Sequence, residues 1–185
     1  MTAIQAPDQL RQRVSWALAQ MLVIVRDAIQ NDNLKTEWYT NYYDIFVRNA
    51  FANYRDILKE ISFSPLMAES LTYLNSKSSA FMLANYQQIT AADENFAREI
   101  MQLFTIGVNR LNIDGTPVVD LNGNEILNYD NDDITSFARV WTGFTAQTSR
   151  SNFEDNGGNK IDPMRINPAW RDRFIKTDLQ KGYLG

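Results

Sequence analysis

The sequence predicts a mainly α protein: an irregular helical bundle with a small β-hairpin or three-stranded meander inserted between two helices. Apolar residues recur every three or four positions through most of the chain, which is typical of amphipathic helices. Asp114-Gly115 and Asn122-Gly123 fall in one short stretch between two helical patterns and indicate turns. The 185 residues are 44% hydrophobic and 22% charged, which is ordinary for a globular domain.

Two long helical patterns occupy the N-terminal part of the chain. The first follows Pro7, which suits a first helical turn, and its apolar stripe extends to Ile29. The second is predicted over residues 36–61 and carries aromatic residues on nearly every face. Because asparagine weakens a helix, the two asparagines within residues 49–53 favour a kink or break there.

Three shorter helices are predicted from capping signals. Ser64-Pro65 combines an N-cap residue with a proline suited to the first helical turn. Residues 90–93 and 130–133 resemble the capping motifs that begin helices, and apolar stripes follow both of them. Gly107 and Gly143 are expected to end these last two helices in the left-handed conformation.

The stretch between the last two helices, residues 110–129, is predicted to contain the β structure. Asn122-Gly123 joins two short apolar runs and is typical of a two-residue hairpin turn. Asp114-Gly115 offers a second turn, so about three short strands would fit. A ribbon of this size is marginal in water, and we therefore expect it to lean on the helices or on a partner.

We expect residues 1–145 to form a helical domain with this insertion, and residues 146–185 to form an irregular C-terminal tail or part of a larger domain. Helical periodicity fades after residue 145. Residues 149–160 are polar, contain a Gly-Gly pair and predict a mobile loop. The aromatic residues of the tail are expected to pack onto another surface.

Composition excludes several classes of function. The formal net charge of −4 argues against a nucleic-acid partner, since phosphate binding requires clustered cationic residues. The chain has no Cys and no His, which excludes thiol nucleophiles, imidazole-based triads and Cys/His zinc sites. A metal ion would have to be a hard cation such as Ca²⁺. The N-terminus lacks a signal-peptide pattern, and no stretch predicts a membrane span.

Residues 92–107, 111–117 and 134–145 form three segments that match a known family signature, and residues 8–14 and 53–58 are also similar. In these segments the chain resembles the bacterial family known as domain of unknown function 1800. The resemblance implies a largely helical fold and, in many members, export to the periplasm or the exterior, but no reaction. Family members are typically longer at both ends, so the chain resembles a central fragment of the family.

A polar ridge on the helix after residue 93 offers candidates for acid–base chemistry. Glu94, Arg98 and Glu99 would place two carboxylates beside a guanidinium in an interhelical cleft, as in a hydrolase-type enzyme. The alternative is structural. Glu94 and Arg98 are four residues apart and suit a helix-stabilising pair, while Glu99 would meet Arg139 or Arg110 on another element.

A calcium loop is the weaker alternative for the turn residues. Asp120, Asn122 and Asn124 alternate as the first three ligands of such a loop do. The glycine, however, lies between these residues, and no Glu follows in the required register. Turn chemistry explains the three residues without an ion.

The sequence therefore leaves three functions open and does not decide whether the protein is an enzyme. We expect an uncharacterised helical module that binds or scaffolds a partner protein, with the hairpin and the aromatic tail as contact surfaces. The alternatives are a hydrolase-type enzyme that uses the Glu/Arg cleft, and a calcium-stabilised structural domain. The sequence identifies no small-molecule ligand.

Overall fold

The computed structural model describes residues 6–25, 35–150 and 159–184. The helices in this part of the chain make the protein mainly α, as predicted. They are α1 Gln9–Met21, α2 Lys35–Arg48, α3 Tyr54–Ser62, α4 Pro65–Ser70, α5 Ser79–Tyr86, α6 Asn95–Gln102 and α7 Asn131–Ala138, followed by a 3₁₀ helix, Arg139–Trp141. The strands are β1 Phe144–Thr145, β2 Arg165–Ile166, β3 Lys176–Thr177 and β4 Tyr183–Leu184. Among the described helices, none combines the length and apolar character needed to cross a bilayer.

The chain divides into two compact units, each made of two separate stretches. The first unit comprises Met1–Leu74 and Thr145–Arg165, and the second comprises Asn75–Phe144 and Ile166–Gly185. The predicted division of the chain at residue 145 into a helical domain and a tail stays a prediction. Most of the predicted mobile loop also lies outside the described residues.

Local capping chemistry separates the helices of the first unit. Residues 49–53 break the long aromatic pattern into α2 and α3, as predicted. The Asn53 side chain caps α3 by accepting a hydrogen bond of 2.9 Å from the backbone N–H of Arg55. α1 ends at Met21, earlier than the apolar stripe suggested, and the rest of that prediction runs into residues 26–34, which lie outside the described part.

Buried aromatic residues form the core of the first unit. The rings of Tyr42 and Phe46 meet edge to face with centroids 5.3 Å apart. The Tyr42 hydroxyl donates to the carbonyl oxygen of Leu22 at 2.8 Å, and the Tyr73 hydroxyl donates to that of Ser62 at 2.9 Å. Burial raises the pKa of both phenols above the ordinary value. These tyrosines therefore serve the core, each with its hydroxyl satisfied.

In the second unit, α6 is shorter than the sequence predicted. It ends at Gln102, because the backbone N–H groups of Ile106 and Gly107 both donate to the carbonyl oxygen of Met101 at 3.0 Å and close a wider turn. Gly107 has the predicted left-handed conformation, with φ of +73°, but it lies beyond the helix. The Asp93 side chain accepts from the backbone N–H of Asn95 at the other end.

The predicted capping box at the start of α7 is confirmed. The Asp130 side chain accepts from the backbone N–H of Asp133 at 3.0 Å, and the Asp133 side chain accepts from that of Asp130 at 3.0 Å. Lys181 reaches both carboxylates, at 3.0 Å and 2.6 Å respectively. Lys181 lies between β3 and β4, an antiparallel pair. The start of α7 is therefore held by contacts both near and distant in sequence.

A buried aspartate anchors the last stretch of the second unit. Asp172 is 8% exposed and accepts hydrogen bonds from Arg139 at 3.1 Å and 3.0 Å and from the Lys176 ammonium at 3.1 Å. Burial acts to raise the pKa of this carboxyl group, but the hydrogen bonds from Arg139 and Lys176 outweigh it and hold the pKa below the ordinary value. Asp172 thus ties the chain before β3 to the 3₁₀ helix.

Among the described glycines of the second unit, Gly143 is the one where an added side chain should be least tolerated. Its φ is +84°, and a Cβ atom there would lie 2.9 Å from the carbonyl oxygen of Asn167 and 3.2 Å from the backbone nitrogen of Arg171. Gly115 has the same φ but open space around it. We expect Gly115→Ala to cost about 1–2 kcal/mol from backbone strain alone.

Gly143→Ala should cost about 1–3 kcal/mol more than Gly115→Ala, because backbone atoms must also move. Urea denaturation of the two variants beside the unsubstituted protein measures the difference in the free energy of unfolding. Equal losses for the two variants would show that the close approach at Gly143 has been misjudged.

Candidate functional site

The chain between α6 and α7 follows an eight-residue repeat. Residues 111–118 and 119–126 form two copies, and residues 127–130 begin a third. Gly115 and Gly123 occupy the fifth position of the first two copies, each after an Asp or Asn. The third copy reaches the aspartate that caps α7 and stops there. The helix therefore begins where a third turn would otherwise form.

Both glycines close three-residue turns, so the predicted two-residue turn at Asn122-Gly123 is wrong. The Asp120 backbone N–H donates to the Asn124 carbonyl oxygen at 2.8 Å, and Gly123 N–H donates to that of Asp120 at 3.1 Å. With φ of +83° at Gly123, this is a type I turn closed by a left-handed residue. The Asp120 carboxylate favours the wider loop, because it accepts from the backbone N–H of Asn122 and of Asn124.

Three residues spaced eight apart close a ring of backbone hydrogen bonds. Arg110 N–H donates to the Ile126 carbonyl oxygen at 2.8 Å, Ile126 N–H donates to that of Val118 at 2.9 Å, and Val118 N–H donates to that of Arg110 at 2.8 Å. A hairpin or meander pairs only neighbouring segments, whereas here each of the three segments pairs with both others. We call residues 108–128 the β ring.

Asn128 fastens the β ring to the turn that follows α6. Its side-chain amide donates to the carbonyl oxygens of Ile106, Gly107 and Asn109 at distances of 3.0–3.1 Å. Its backbone N–H donates to the carbonyl oxygen of Val108 at 2.8 Å. The first and last segments of the ring are thereby joined at its base.

Large apolar side chains project from the β ring into solvent. Ile113 and Leu121, the third residues of the first two repeats, are 111% and 106% exposed. We call these two residues the apolar tips. The first residues of the repeats, on the sides of the ring, are about half exposed: Leu111, Val119 and Leu127. An exposed apolar surface on a structured element marks a candidate interaction site.

The polar ridge on α6 is partly a helix-stabilising pair. Arg98 Nη2 lies 3.1 Å from Glu94 Oε2, and the two side chains are 42% and 39% exposed. Thr135 of α7 also donates to Glu94, at 3.3 Å. The structural alternative for Glu94 and Arg98 is therefore present in the molecule, while their acid–base role stays a prediction.

Glu99 does not have the partners that the sequence suggested. Arg139 binds Asp172 instead, and Arg110 lies exposed in the β ring. Oε2 of Glu99 is buried, and no donor within the described residues forms a hydrogen bond with it. A buried carboxylate oxygen without a hydrogen-bond donor lowers the free energy of unfolding.

Tyr129 belongs to the same site, although it was not among the residues predicted from the sequence. The residue is only 8% exposed, and its buried hydroxyl has no hydrogen-bond partner within the described part of the chain. Burial raises the pKa of Tyr129, while the charge of Arg98 acts to lower it and that of Glu99 to raise it. Tyr129 is the third residue of the third repeat, the position that the apolar tips occupy in the first two repeats. The sequence signal for its burial is that this third copy stops at the Asp130 cap of α7.

The proposed calcium ligands are engaged in hydrogen bonds with one another. Asp120 Oδ1 accepts from two backbone N–H groups at 2.8 Å and 2.9 Å, and Oδ2 accepts from the Asn124 side chain at 3.1 Å. Within the described ranges, no group of three or more Asp, Glu, His or Cys side chains is placed to hold a metal ion. Calcium binding stays a prediction, and a rise in the thermal unfolding midpoint on adding CaCl₂ would support it.

These features define a mainly α protein with a closed β ring between two helices. The family profile described as "Protein of unknown function (DUF1800)" matches residues 1–183. The chain therefore belongs to the DUF1800 family, which confirms the resemblance seen in its sequence. Comparisons with curated proteins and with solved structures gave no match.

The Asp120 carboxyl group should titrate in more acidic solution than an ordinary aspartate. Hydrogen bonds from the backbone and side chain of Asn124, and from the backbone of Asn122, hold its pKa below the ordinary value of 3.8. Because the folded pKa is depressed, its contribution to stability is present above the ordinary pKa and is lost as pH falls through the folded pKa.

Titration of the Asp120 carboxyl carbon by NMR measures this pKa, and Asn124→Ala should raise it toward 3.8 by removing the side-chain donor. A pKa at or above the ordinary value in the unsubstituted protein would mean that the turn is not held by these hydrogen bonds.

Proposed function

We propose that the protein is a binding module that docks on a partner protein through the β ring. The observation that carries this proposal is the full exposure of the apolar tips, Ile113 and Leu121, on turns whose geometry is fixed. Water around such side chains is released when a complementary surface covers them. The family resemblance favours a partner in the periplasm or outside the cell.

Preorganised turns make the β ring suitable for docking. Asp114 accepts from the backbone N–H and the hydroxyl of Thr116 at 3.0 Å and 2.7 Å. Asp120, at the start of the second turn, accepts from the backbone N–H groups of Asn122 and Asn124 at 2.8 Å and 2.9 Å. The backbone at both tips is already ordered before a partner arrives. Binding through a preorganised loop avoids part of the entropic cost of association.

Charge around the tips indicates what kind of surface the partner presents. The β ring carries three acidic residues, Asp114, Asp120 and Glu125, and one basic residue, Arg110. All four side chains are exposed. A complementary partner therefore has an apolar centre flanked by Lys or Arg, whereas an anionic membrane surface would be repelled.

Replacing an apolar tip by aspartate should weaken docking without unfolding the protein. A photo-crosslinking residue placed at position 121 in the producing cells should give one discrete protein adduct, and the same residue at position 89 should not. Ile89 is 88% exposed but lies outside the ring, so it is the matched control.

The purified adduct partner should bind Leu121→Asp at least tenfold more weakly than Ile89→Asp, and higher salt should weaken its binding to both. Equal affinity for these two variants would reject the β ring as the docking surface. Sedimentation tests whether the protein associates with itself. Concentration-dependent self-association that is lost in Leu121→Asp would show that a second copy occupies the β ring, and it would contradict the proposal of a different partner protein.

A second candidate function is supported by the buried groups of Glu99 and Tyr129. A hydrolase-type site would use Glu99 as the acid–base group, with Arg98 and Glu94 alongside as predicted from the sequence. Both oxygens, which have no hydrogen-bond partner among the described residues, lie in the unit that carries this ridge. Such unpaired polar groups are costly in a fold, and catalytic sites are where proteins tolerate that cost.

This second candidate predicts that the Tyr129 hydroxyl contributes nothing to stability. Tyr129→Phe should leave the free energy of unfolding unchanged or raise it, because no hydrogen bond is lost. Tyr73→Phe is the control, since it removes a buried 2.9 Å hydrogen bond and should cost about 1 kcal/mol. If chemical denaturation shows equal losses for both, the hydroxyl of Tyr129 has a structural partner and the argument for a reactive site fails.

A further inference from the structure

Lys77 lies inside a box of three aromatic rings in the second unit. Its Nζ atom is 5.1 Å from the ring centroid of Trp170, 5.2 Å from that of Tyr86 and 5.7 Å from that of Phe81. The Phe81 ring meets the other two edge-on, with centroid separations of 6.2 Å and 6.4 Å. Each distance to the ammonium is within the range of a cation–π interaction. We call these three rings the aromatic box.

Backbone and capping hydrogen bonds build the aromatic box. Phe81 and Tyr86 both belong to α5, and Ser78 caps this helix by accepting from the Phe81 backbone N–H at 3.3 Å. The backbone N–H of Ser78 donates to the carbonyl oxygen of Trp170 at 2.8 Å, which brings the third ring to the start of the helix. Lys77 directly precedes the cap. The backbone that carries the three rings is therefore positioned by hydrogen bonds that do not involve the Lys77 side chain.

Within the described part of the chain, the Lys77 ammonium contacts aromatic faces and no carboxylate. Among the described residues, no Asp or Glu forms an ion pair with it, in contrast to Lys160, Lys176 and Lys181. A primary ammonium has three N–H donors that the faces of aromatic rings satisfy poorly compared with water. A fully methylated ammonium has no such donors, and aromatic boxes are the surfaces that recognise it.

We propose that the aromatic box is a binding site for N-methylated ammonium groups and that Lys77 fills it when no such ligand is bound. The site is separate from the β ring and stands whether or not the ring docks on a partner. Because Lys77 is tethered, it competes at a high effective concentration. The protein should therefore bind a trimethylammonium group more weakly than a variant that lacks the lysine side chain.

The test uses tetramethylammonium as the probe and the Trp170 indole N–H resonance as the readout. The full chain should show a saturable shift of this resonance. Lys77→Ala should bind at least tenfold more tightly than the unsubstituted chain, because the internal competitor is gone. Lys59→Ala removes the same charge from an exposed lysine outside the box and should bind as the unsubstituted chain does.

One double variant and one further probe make the proposal falsifiable. Tyr86 is 52% exposed, so Tyr86→Ala should fold, and in the Lys77→Ala background it should abolish saturable binding. Retained affinity in this double variant would overturn the proposal, as would equal affinity of Lys77→Ala and Lys59→Ala. Ammonium chloride that shifts the indole resonance as strongly as tetramethylammonium would overturn the preference for methylated groups.

The same chemistry occurs in free choline-type molecules and in trimethyl-lysine of another protein. Lys77→Ala is titrated with choline and with a short trimethyl-lysine peptide. The ligand that binds more tightly identifies which of the two sources the site prefers. Saturable binding of either supports the site. If neither binds, the box is a structural contact between α5 and the chain near Trp170, and the proposal is wrong.

Discussion

Three backbone hydrogen bonds, joining Arg110, Val118 and Ile126, give the chain between α6 and α7 a defined structure. A two-stranded ribbon of this length would be marginal in water. Closure into the β ring lets each segment bond to both others, so that a small element with little buried surface can still be ordered. Asn128 joins the ring to the turn after α6, and the capping box of α7 begins where the third repeat stops. The exposed apolar tips depend on this arrangement, because the two turns that carry them lie within the ring.

The parts of the fold that local chemistry determines were predictable from the sequence. The helix break within residues 49–53, the start of α4 at Pro65 and the capping box at Asp130 each follow from a few adjacent residues. The end of α6 and the length of the hairpin turn were not predictable in this way. The first depends on the Met101 carbonyl oxygen and the second on the Asp120 carboxylate, each of which accepts more than one backbone hydrogen bond. The eight-residue period is visible in the sequence. That the first segment pairs with the third is not, because sequence patterns indicate pairing only between neighbours.

The candidate sites show the same limit. Glu94 and Arg98 pair as their spacing suggests, but Glu99 lacks its expected partners because Asp172 takes Arg139. From its repeat position Tyr129 would be a third apolar tip, but in the structure it is buried just before α7 begins. The aromatic box combines α5, which is not among the helices predicted from the sequence, with Trp170 from the predicted irregular C-terminal region. Contacts between distant residues supply the chemistry in both places, and single-sequence reasoning has no access to them.

Hydrogen exchange of the ring amides tests most directly whether the β ring is a closed and cooperative element. If closure holds it together, the amides of Arg110, Val118 and Ile126 open in one event and exchange at one common slow rate, while Leu121 at a turn tip exchanges rapidly. The measurement is native-state exchange of the full chain followed by NMR. A closed ring would be contradicted if the exchange rates of the three amides differed from one another as much as they differ from the rate of Leu121. That result would also remove the ordered surface on which the docking proposal rests.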